Sequence, residues 1–387
     1  MNFDLIVVGG GLAGAALAVA LRGSHLKVAV IEAAVPQVSA ELDQRVYAYN
    51  PASICFLEEL GVWQNLERER LQAVSEMQIF GDAGGALRFS AYDSGLPELA
   101  WIGESNRIHS ELWEGLRRQH NVTVFCPATP MTLDLPPDSA ILRLQDGRTL
   151  HARLVVGADG RESWVRKQAG IEASISSYNE RGVVANLACV QPHRARAYQW
   201  FRDDGVLAWL PLPGNRISMV WSAPDDVADE LMALGDAAFC DKVAVAGGRA
   251  LGAFELLTPR AAFPLRFMRV SEVVRQRVAL IGDAAHAIHP LSGHGINLGL
   301  QDARSLAAVL SSAASWRDIG ELPLLRAYAR ARAEEPFLMQ YLTHGLNRLF
   351  GQSNPILSVL RNAGMNLTDR LPVLTHALTR YAANGRF

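Results

Sequence analysis

Cysteine is scarce and scattered in this chain of 387 residues: Cys55, Cys126, Cys189 and Cys240 form no CxxC pair and stand in no zinc-like spacing with histidine. This excludes a dithiol redox centre and argues against a metal site, so reduced, partly buried thiols of a cytosolic protein are expected. Net charge is also small, −2 with a pI near 6.6. Nucleic-acid-binding domains usually carry a basic excess, so no nucleic-acid partner is expected. Long apolar runs are missing too. The longest, 13–21, is far shorter than the ~20 residues a membrane-spanning helix needs. The N-terminus enters a strand directly, with no basic segment, apolar stretch and cleavage site of a secretory leader. A cytoplasmic protein is expected, at most peripheral to the inner face of a membrane. There is no internal repeat and no low-complexity tract. With 49% hydrophobic and 20% charged residues, the chain can bury a large core and is long enough for two domains.

What is present begins with Gly9-Gly10-Gly11-Leu12-Ala13-Gly14. The apolar run 3–8 predicts a strand, and the glycines allow backbone to approach a pyrophosphate. Residues 15–21 then continue a helix whose N-terminus favours an anion. The run 26–31 predicts the next strand and ends at Glu32, about 20 residues beyond the glycines, where an acidic side chain accepts from adenosine ribose hydroxyls. Glycine-rich turn, helix and acid in register make this a dinucleotide unit with Gly9, Gly11, Gly14 and Glu32 as its binding residues. Periodicity does not distinguish NAD from FAD.

Further along, 51–60 and 107–119 predict helices, and 77–80, 86–89, 122–125, 141–144 and 150–157 predict strands, with Asp146-Gly147 as a hairpin turn. The block 181–265 alternates, notably over 183–190, 205–211 and 216–222, and predicts a largely antiparallel sheet as the floor of a substrate cavity. Phe201, Trp209, Leu210, Met219 and Trp221 are candidates for its lining or for ordinary sheet core. A fully apolar strand at 277–281 and a helix at 295–312 follow. From Leu322 the pattern is helical to the end, interrupted by Pro336, Pro355 and Pro372. After Pro323 eight arginines stand against three acidic residues. Apolar positions such as Leu346, Leu349, Phe350, Ile356, Leu360, Leu371, Leu374 and Leu378 recur near helical spacing. Two readings stay open for this region: a bundle packed on the nucleotide domain with a solvated basic face, or a membrane-surface contact.

A second fingerprint, Gly282-Asp283-Ala284-Ala285-His286 continuing through Pro290, Gly293, Gly295, Ile296 and Asn297 to Asp302, closely resembles the signature of class A flavoprotein monooxygenases, specifically the subgroup that hydroxylates ubiquinone precursors. Ala158-Asp159-Gly160-Arg161 resembles the Asp-Gly motif of that family, Arg45 its arginine near the flavin, and Arg361-Asn362-Ala363-Gly364-Met365 a C-terminal element of the subgroup. The resemblance covers essentially the whole chain. It implies one FAD held by both ends of the sequence, with Asp283 on the ribityl or pyrophosphate. The loop through Pro290, Gly293, Gly295, Ile296 and Asn297 would lie against the isoalloxazine, and Asp159 near the pyrophosphate and the path of the reductant. The family's Arg or Gln before a helix leucine falls here on His109, with Arg107 as the alternative phosphate contact and an exposed helix position as the plain reading.

The implied fold is α/β and para-hydroxybenzoate hydroxylase-like. A Rossmann-like FAD-binding domain (1–75, 100–175 and 266–321) interleaves with a β-sheet substrate domain (76–99 and 176–265), and a helical C-terminal region (322–387) follows. The implied activity is hydroxylation of a polyprenylated phenol in ubiquinone biosynthesis through a C4a-hydroperoxyflavin. It needs O2, a reductant that is NAD(P)H or a protein donor, and a lipid-tailed phenol reached from the membrane or a ubiquinone complex. The alternatives are a hydroxylase of the same class acting on a soluble aromatic, and a non-catalytic FAD-binding scaffold. Reactive steps would belong to the cofactor, and His286 and His289 are read as hydrogen-bonding residues of the flavin-side turn rather than general bases. No redox CxxC, no WxWxIP segment (Trp209 is followed by Leu210-Pro211) and no second GxGxxG point to the other flavoprotein classes.

Overall fold

The computed structural model describes residues 1–37, 41–287, 295–350 and 355–384. Leu5–Val8 is fully buried and pairs in parallel with Val28–Ile31 on one side and Leu154–Gly157 on the other. Such a strand, apolar on both faces, needs helices or a second sheet over each side. Helix Leu12–Ala20 covers one face with Ala15 to Val19, and a small antiparallel sheet of Pro130–Asp134, Ala140–Leu144 and Thr149–Ala152 covers the other. Val122–Phe125 and Val278–Leu280 extend the main sheet in parallel, and Val274–Arg275 closes it antiparallel. The expected single strand over 150–157 is therefore two strands in two sheets. The chain changes sheet at Arg153, whose guanidinium pairs with Asp4 at 2.8 Å.

The alternating block forms a nine-stranded sheet. It is antiparallel except where Arg196–Arg202 meets Glu76–Phe80 in parallel. Side chains of a strand point to alternate faces. On the outer face Trp209, Met219 and Trp221 are fully buried beneath helices Asp225–Ala233 and Asp236–Ala246. They are core, not cavity lining: the alternation gives two faces, and these helices claim the larger side chains. The inner face packs Leu210 and Ala197 against Val46 and Ala48 of strand Val46–Tyr49, and Asn186 donates to the Asp43 carbonyl at 2.9 Å. Phe201 also points inward, stacked on Phe350 with centroids 3.9 Å apart.

Among the described residues four helices follow, Leu322–Ala331, Glu334–Phe350, Pro355–Asp369 and Pro372–Asn384. Pro336, Pro355 and Pro372 lie in first turns, where a missing N–H is tolerated. Leu322–Ala331 packs on helix Gly295–Ser311, Glu334–Phe350 bridges that helix, through Met339 on Leu298, to the substrate sheet, and Pro355–Asp369 docks on the substrate sheet. Asn362, Asn366 and Asp369, spaced along one helix face, accept the N–H groups of Gly85, Ala86 and Arg88 at 2.7, 2.9 and 2.9 Å. The helix thus satisfies the open edge of strand Ala86–Ser90, which would otherwise invite pairing with another chain. Arg361 is buried and ion-paired with Asp82, and donates to the Leu349 carbonyl at 2.6 Å. It is no part of a solvated basic face. The apolar positions divide: Phe350 is buried, whereas Leu349, Leu360, Leu371 and Leu374 are exposed.

Candidate functional site

The carboxyl ends of Leu5–Val8, Val28–Ile31 and Leu154–Gly157 lie side by side, so Gly9, Glu32 and Ala158 emerge at one edge of the sheet. Ligands of open α/β sheets bind at such an edge. Gly9 has φ +102°, and a Cβ there would fall 2.3 Å from the Ala158 oxygen; a Cβ on Gly14 would fall 2.0 Å from the Gly9 oxygen. Both glycines are needed for packing of strand, turn and helix. Gly11 differs. It caps helix Leu12–Ala20 with no side-chain partner for the first-turn amides, and a Cβ would meet nothing within 4 Å. The result is a hollow facing unpaired N–H groups, an anion site. Glu32 stands at its lip, accepting from Gly10 N at 2.7 Å and Ala33 N at 2.8 Å.

His109 Nε2 lies 2.6 Å from the Gly10 oxygen, and Trp113 Nε1–H donates to the same oxygen at 3.0 Å. An oxygen so close requires a proton on Nε2, so that nitrogen donates. The 2.9 Å approach of Trp113 Nε1 to His109 Nε2 is then a contact between two donors. Burial holds the imidazole pKa below its usual value, against the Gly10 bond and the field of Glu32, so His109 is neutral at pH 7. It is part-buried and braces the glycine loop. Arg107 instead pairs with Glu67 at 3.0 Å and lies 3.7 Å from Glu104.

The second fingerprint lies beside the first. Gly282, at φ +59°, starts the turn Gly282–Ala284 and packs against Ala13 and Gly299, bringing helix Gly295–Ser311 onto helix Leu12–Ala20. Asp283 is exposed, with no hydrogen bond or ion pair among the described residues. Burial first, and then the Asp283 carboxylate, hold the Tyr47 hydroxyl above its ordinary pKa, while Arg45 and Arg161 oppose them. These groups surround one space, with Arg45 exposed and Arg161 Nε buried without a partner. Asp159 is committed locally: Ser163 donates to it at 2.5 Å and Val165 N at 3.0 Å, capping helix Trp164–Gln168. Gly295 has open space where a Cβ would be, Ile296 is part-buried, and Asn297 is buried. The Asn297 amide donates to Ala48 O at 2.8 Å and accepts from Asn50 N at 3.0 Å, tying this helix to strand Val46–Tyr49. Pro290, Gly293 and His289 lie outside the described residues.

His286 makes the structural hydrogen bond expected of it, and its partner is Asp302, buried in helix Gly295–Ser311, at 2.6 Å. Asp302 also accepts from Gly282 N at 2.9 Å and Arg332 Nε at 2.8 Å, and Arg332 reaches Glu335 at 2.5 Å. Burial disfavours charge on both His286 and Asp302. The pair overcomes this: Asp302 raises the imidazole pKa, and His286 with Arg332 lowers that of the carboxylate. Asp302 stood in the fingerprint, but no motif flagged Arg332, which meets it from a neighbouring helix.

A flavin dinucleotide fits this surface. The hollow at Gly11 with its unpaired amides suits a pyrophosphate, the acid at its lip a ribose, and the partnerless Asp283 and Arg161 Nε the polar groups farther along.

Residues 2–339 match the family described as FAD binding domain. The chain is 32% identical over 385 residues, 98% of each chain, to a protein of Escherichia coli (strain K12) named 3-demethoxyubiquinol 3-hydroxylase. It is 31% identical over 433 residues, 98% of this chain and 92% of the other, to human mitochondrial ubiquinone biosynthesis monooxygenase COQ6. In fold it is similar to p-nitrophenol 4-monooxygenase PnpA from Pseudomonas putida DLL-E4, with a TM-score of 0.80 at 20% identity, covering 100% of this chain and 99% of that one.

Proposed function

We propose, from the premise that this chain belongs to the FAD binding domain family and is an FAD-dependent aromatic monooxygenase, that it hydroxylates the ring of an uncharged, lipid-tailed phenol of the ubiquinone-precursor type. The enzyme uses O2 and a reductant. Bound FAD supplies the chemistry, accepting electrons and delivering one atom of O2 to the ring. The protein holds and shields. Gly9, Gly11 and Gly14 would hold the pyrophosphate, with His109 bracing their loop through the Gly10 oxygen, Glu32 would hold the adenosine ribose and Asp283 the ribityl chain. Arg45, Asp159, Gly295, Ile296 and Asn297 would border the rest of the cofactor, with Pro290 and Gly293.

The observation that carries the substrate reading is the absence of charge from the middle of the inner face of the substrate sheet, with Arg216 one row beyond it. Three successive cross-strand rows run from Asn186 to Met77, from Val184 to Ile79 and from Gly182 to Phe201, and none bears a charged side chain. Burying a carboxylate without a cation is costly, so this face suits a neutral ring better than an aromatic acid. The arginines toward the nucleotide domain, Arg45 and Arg161, share their space with Asp43 and Asp283.

The lipid tail has support at the surface. On the last helices Val359, Leu360, Leu367 and Val373 are 66, 62, 60 and 84% exposed, and Arg348, Arg370 and Arg380 of the same helices are exposed. Apolar side chains with basic neighbours match an anionic lipid surface, from which a tailed substrate would be drawn. No helix among the described residues is long and apolar enough to cross a membrane.

The test is turnover by purified, FAD-loaded protein with NAD(P)H under 18O2. A prenylated methoxyphenol is expected to gain one labelled oxygen. Turnover of tail-free aromatic acids with none on the prenylated phenol would assign the protein to soluble aromatics, and no labelled product from either would favour a scaffold.

A further inference from the structure

The inner face of the substrate sheet carries three polar side chains that bond to nothing. Gln199, Ser218 and Ser222 are 4, 1 and 3% exposed, and none has a hydrogen bond among the described residues. None of their oxygen or nitrogen atoms is both fully enclosed and unpaired, so in each case the polar end is the part of the side chain that reaches the open space over this face. Their direction follows from neighbours on the same strands. Tyr198 and Trp200 flank Gln199 and lie in the outer core beneath the helices, so Gln199 points inward. Ile217, Met219, Trp221 and Ala223 do the same for the two serines.

Strand register places these groups around a common floor. Gln199 pairs with Ala208 and Ala208 with Val220, so Ala208 lies between Gln199 and Val220 of the serine strand. Ser218 and Ser222 stand two residues to either side of Val220 on the same face. Strands are ~4.8 Å apart, which puts Gln199 about 10 Å from the serine strand, the breadth of a ring with oxygen substituents on opposite sides. Ala208 and Val220 are small, apolar and part-exposed, as a ring face requires. In the rows to either side the ends nearest Gln199 are covered, Leu210 by Val46 and Ala48 and Phe201 by Phe350, which leaves the middle row and the two serines as the uncovered floor.

We propose that Gln199 is a specificity-determining residue, its amide hydrogen-bonding an oxygen substituent of a ring that lies over Ala208 and Val220, with Ser218 and Ser222 receiving substituents on the far side. This rests on the monooxygenase reading and adds the residue that reads the ring.

The test uses the FAD-loaded full chain, with 2-methoxyphenol and ethylbenzene as probes and perturbation of the bound-flavin absorption as the binding signal. Gln199→Leu keeps volume and removes the amide. It is expected to retain FAD and the wild-type Tm while losing three- to tenfold in affinity for 2-methoxyphenol, ~0.7–1.4 kcal/mol, with ethylbenzene unaffected or tighter. Ala208→Leu, which fills the floor, is expected to weaken both probes. Affinity for 2-methoxyphenol within twofold of wild type in Gln199→Leu, or loss of FAD and a lowered Tm in that variant, overturns the proposal. If Ala208→Leu leaves both affinities unchanged, the floor is misplaced and the proposal falls with it. Wild-type protein whose flavin responds to neither probe overturns the location of the ring site itself, a failure separable from that of Gln199.

Discussion

At Gly11 and Asp283 the chain keeps features that its own packing does not use. Gly9 and Gly14 must be glycine for the fold, because a Cβ on either would overlap backbone at 2.3 or 2.0 Å. Gly11 has no such neighbour, so Gly11→Ala is expected to cost the apo-protein no more than about 1 kcal/mol as a changed helix cap, yet to abolish FAD binding by placing a methyl group in the hollow. Thermal melts of the apo-protein beside FAD fluorescence titrations separate the two effects. Gly14→Ala would instead fail in both. A FAD affinity unchanged in Gly11→Ala would move the pyrophosphate elsewhere. For Asp283→Ala, the loss expected is about 1.5–3 kcal/mol of FAD affinity, typical of a hydrogen bond involving a charged group, with apo stability little changed because the exposed carboxylate has no hydrogen bond or ion pair among the described residues. Glu255→Ala, an exposed change far from the fingerprints, is the control, and equal affinity in the two variants would show that Asp283 does not touch the cofactor.

At the scale of elements, the turn Gly282–Ala284 is fixed from behind by Asp302, which takes the Gly282 N–H and the His286 ring while Arg332 balances its charge. The linkage signs are opposite for the two partners. His286 has its folded pKa raised, so its contribution is full below the unfolded value of about 6.5 and is lost as pH rises through the folded value. Asp302 has its folded pKa depressed, so its contribution is present at neutral pH and lost as pH falls through that value in acid. Replacing His286 by Gln should therefore lower the Tm most near pH 6, with the gap to wild type closing toward pH 9. A gap constant across that range would mean that His286 is neutral throughout.

Over the whole molecule, the cofactor edge was legible in the sequence because its signals are local. Strand, glycine turn and acid lie within one short stretch, and the second fingerprint is contiguous. What the sequence hid depends on contacts between distant segments. Alternation over 205–222 gives two faces, but only the helices at 225–246 decide that Trp209, Met219 and Trp221 are core and that the small residues between them face the chamber. Arg361 reads as surface charge until Asp82, from a hairpin far away in sequence, closes on it.

That last contact also decides how the C-terminal surface can be tested. Reversing the charge of Arg361 would set a buried carboxylate against part-buried Asp82, which Ser358 and Asn362 also hold, and would undo the docking of the helix rather than probe its outer side. Arg348, Arg370 and Arg380 are exposed, so reversing them should leave the fold intact. If the exposed leucines and valines meet an anionic bilayer, each basic residue adds ~1 kcal/mol near the surface, and the triple variant should lose most of its association with phosphatidylserine-containing liposomes at low salt. FAD content and turnover of a short-tailed phenol should persist, because these side chains do not reach the inner sheet face. Liposome association equal to wild type in a cosedimentation assay would make this surface ordinary exposed packing, and the tailed substrate would then have to arrive by another route.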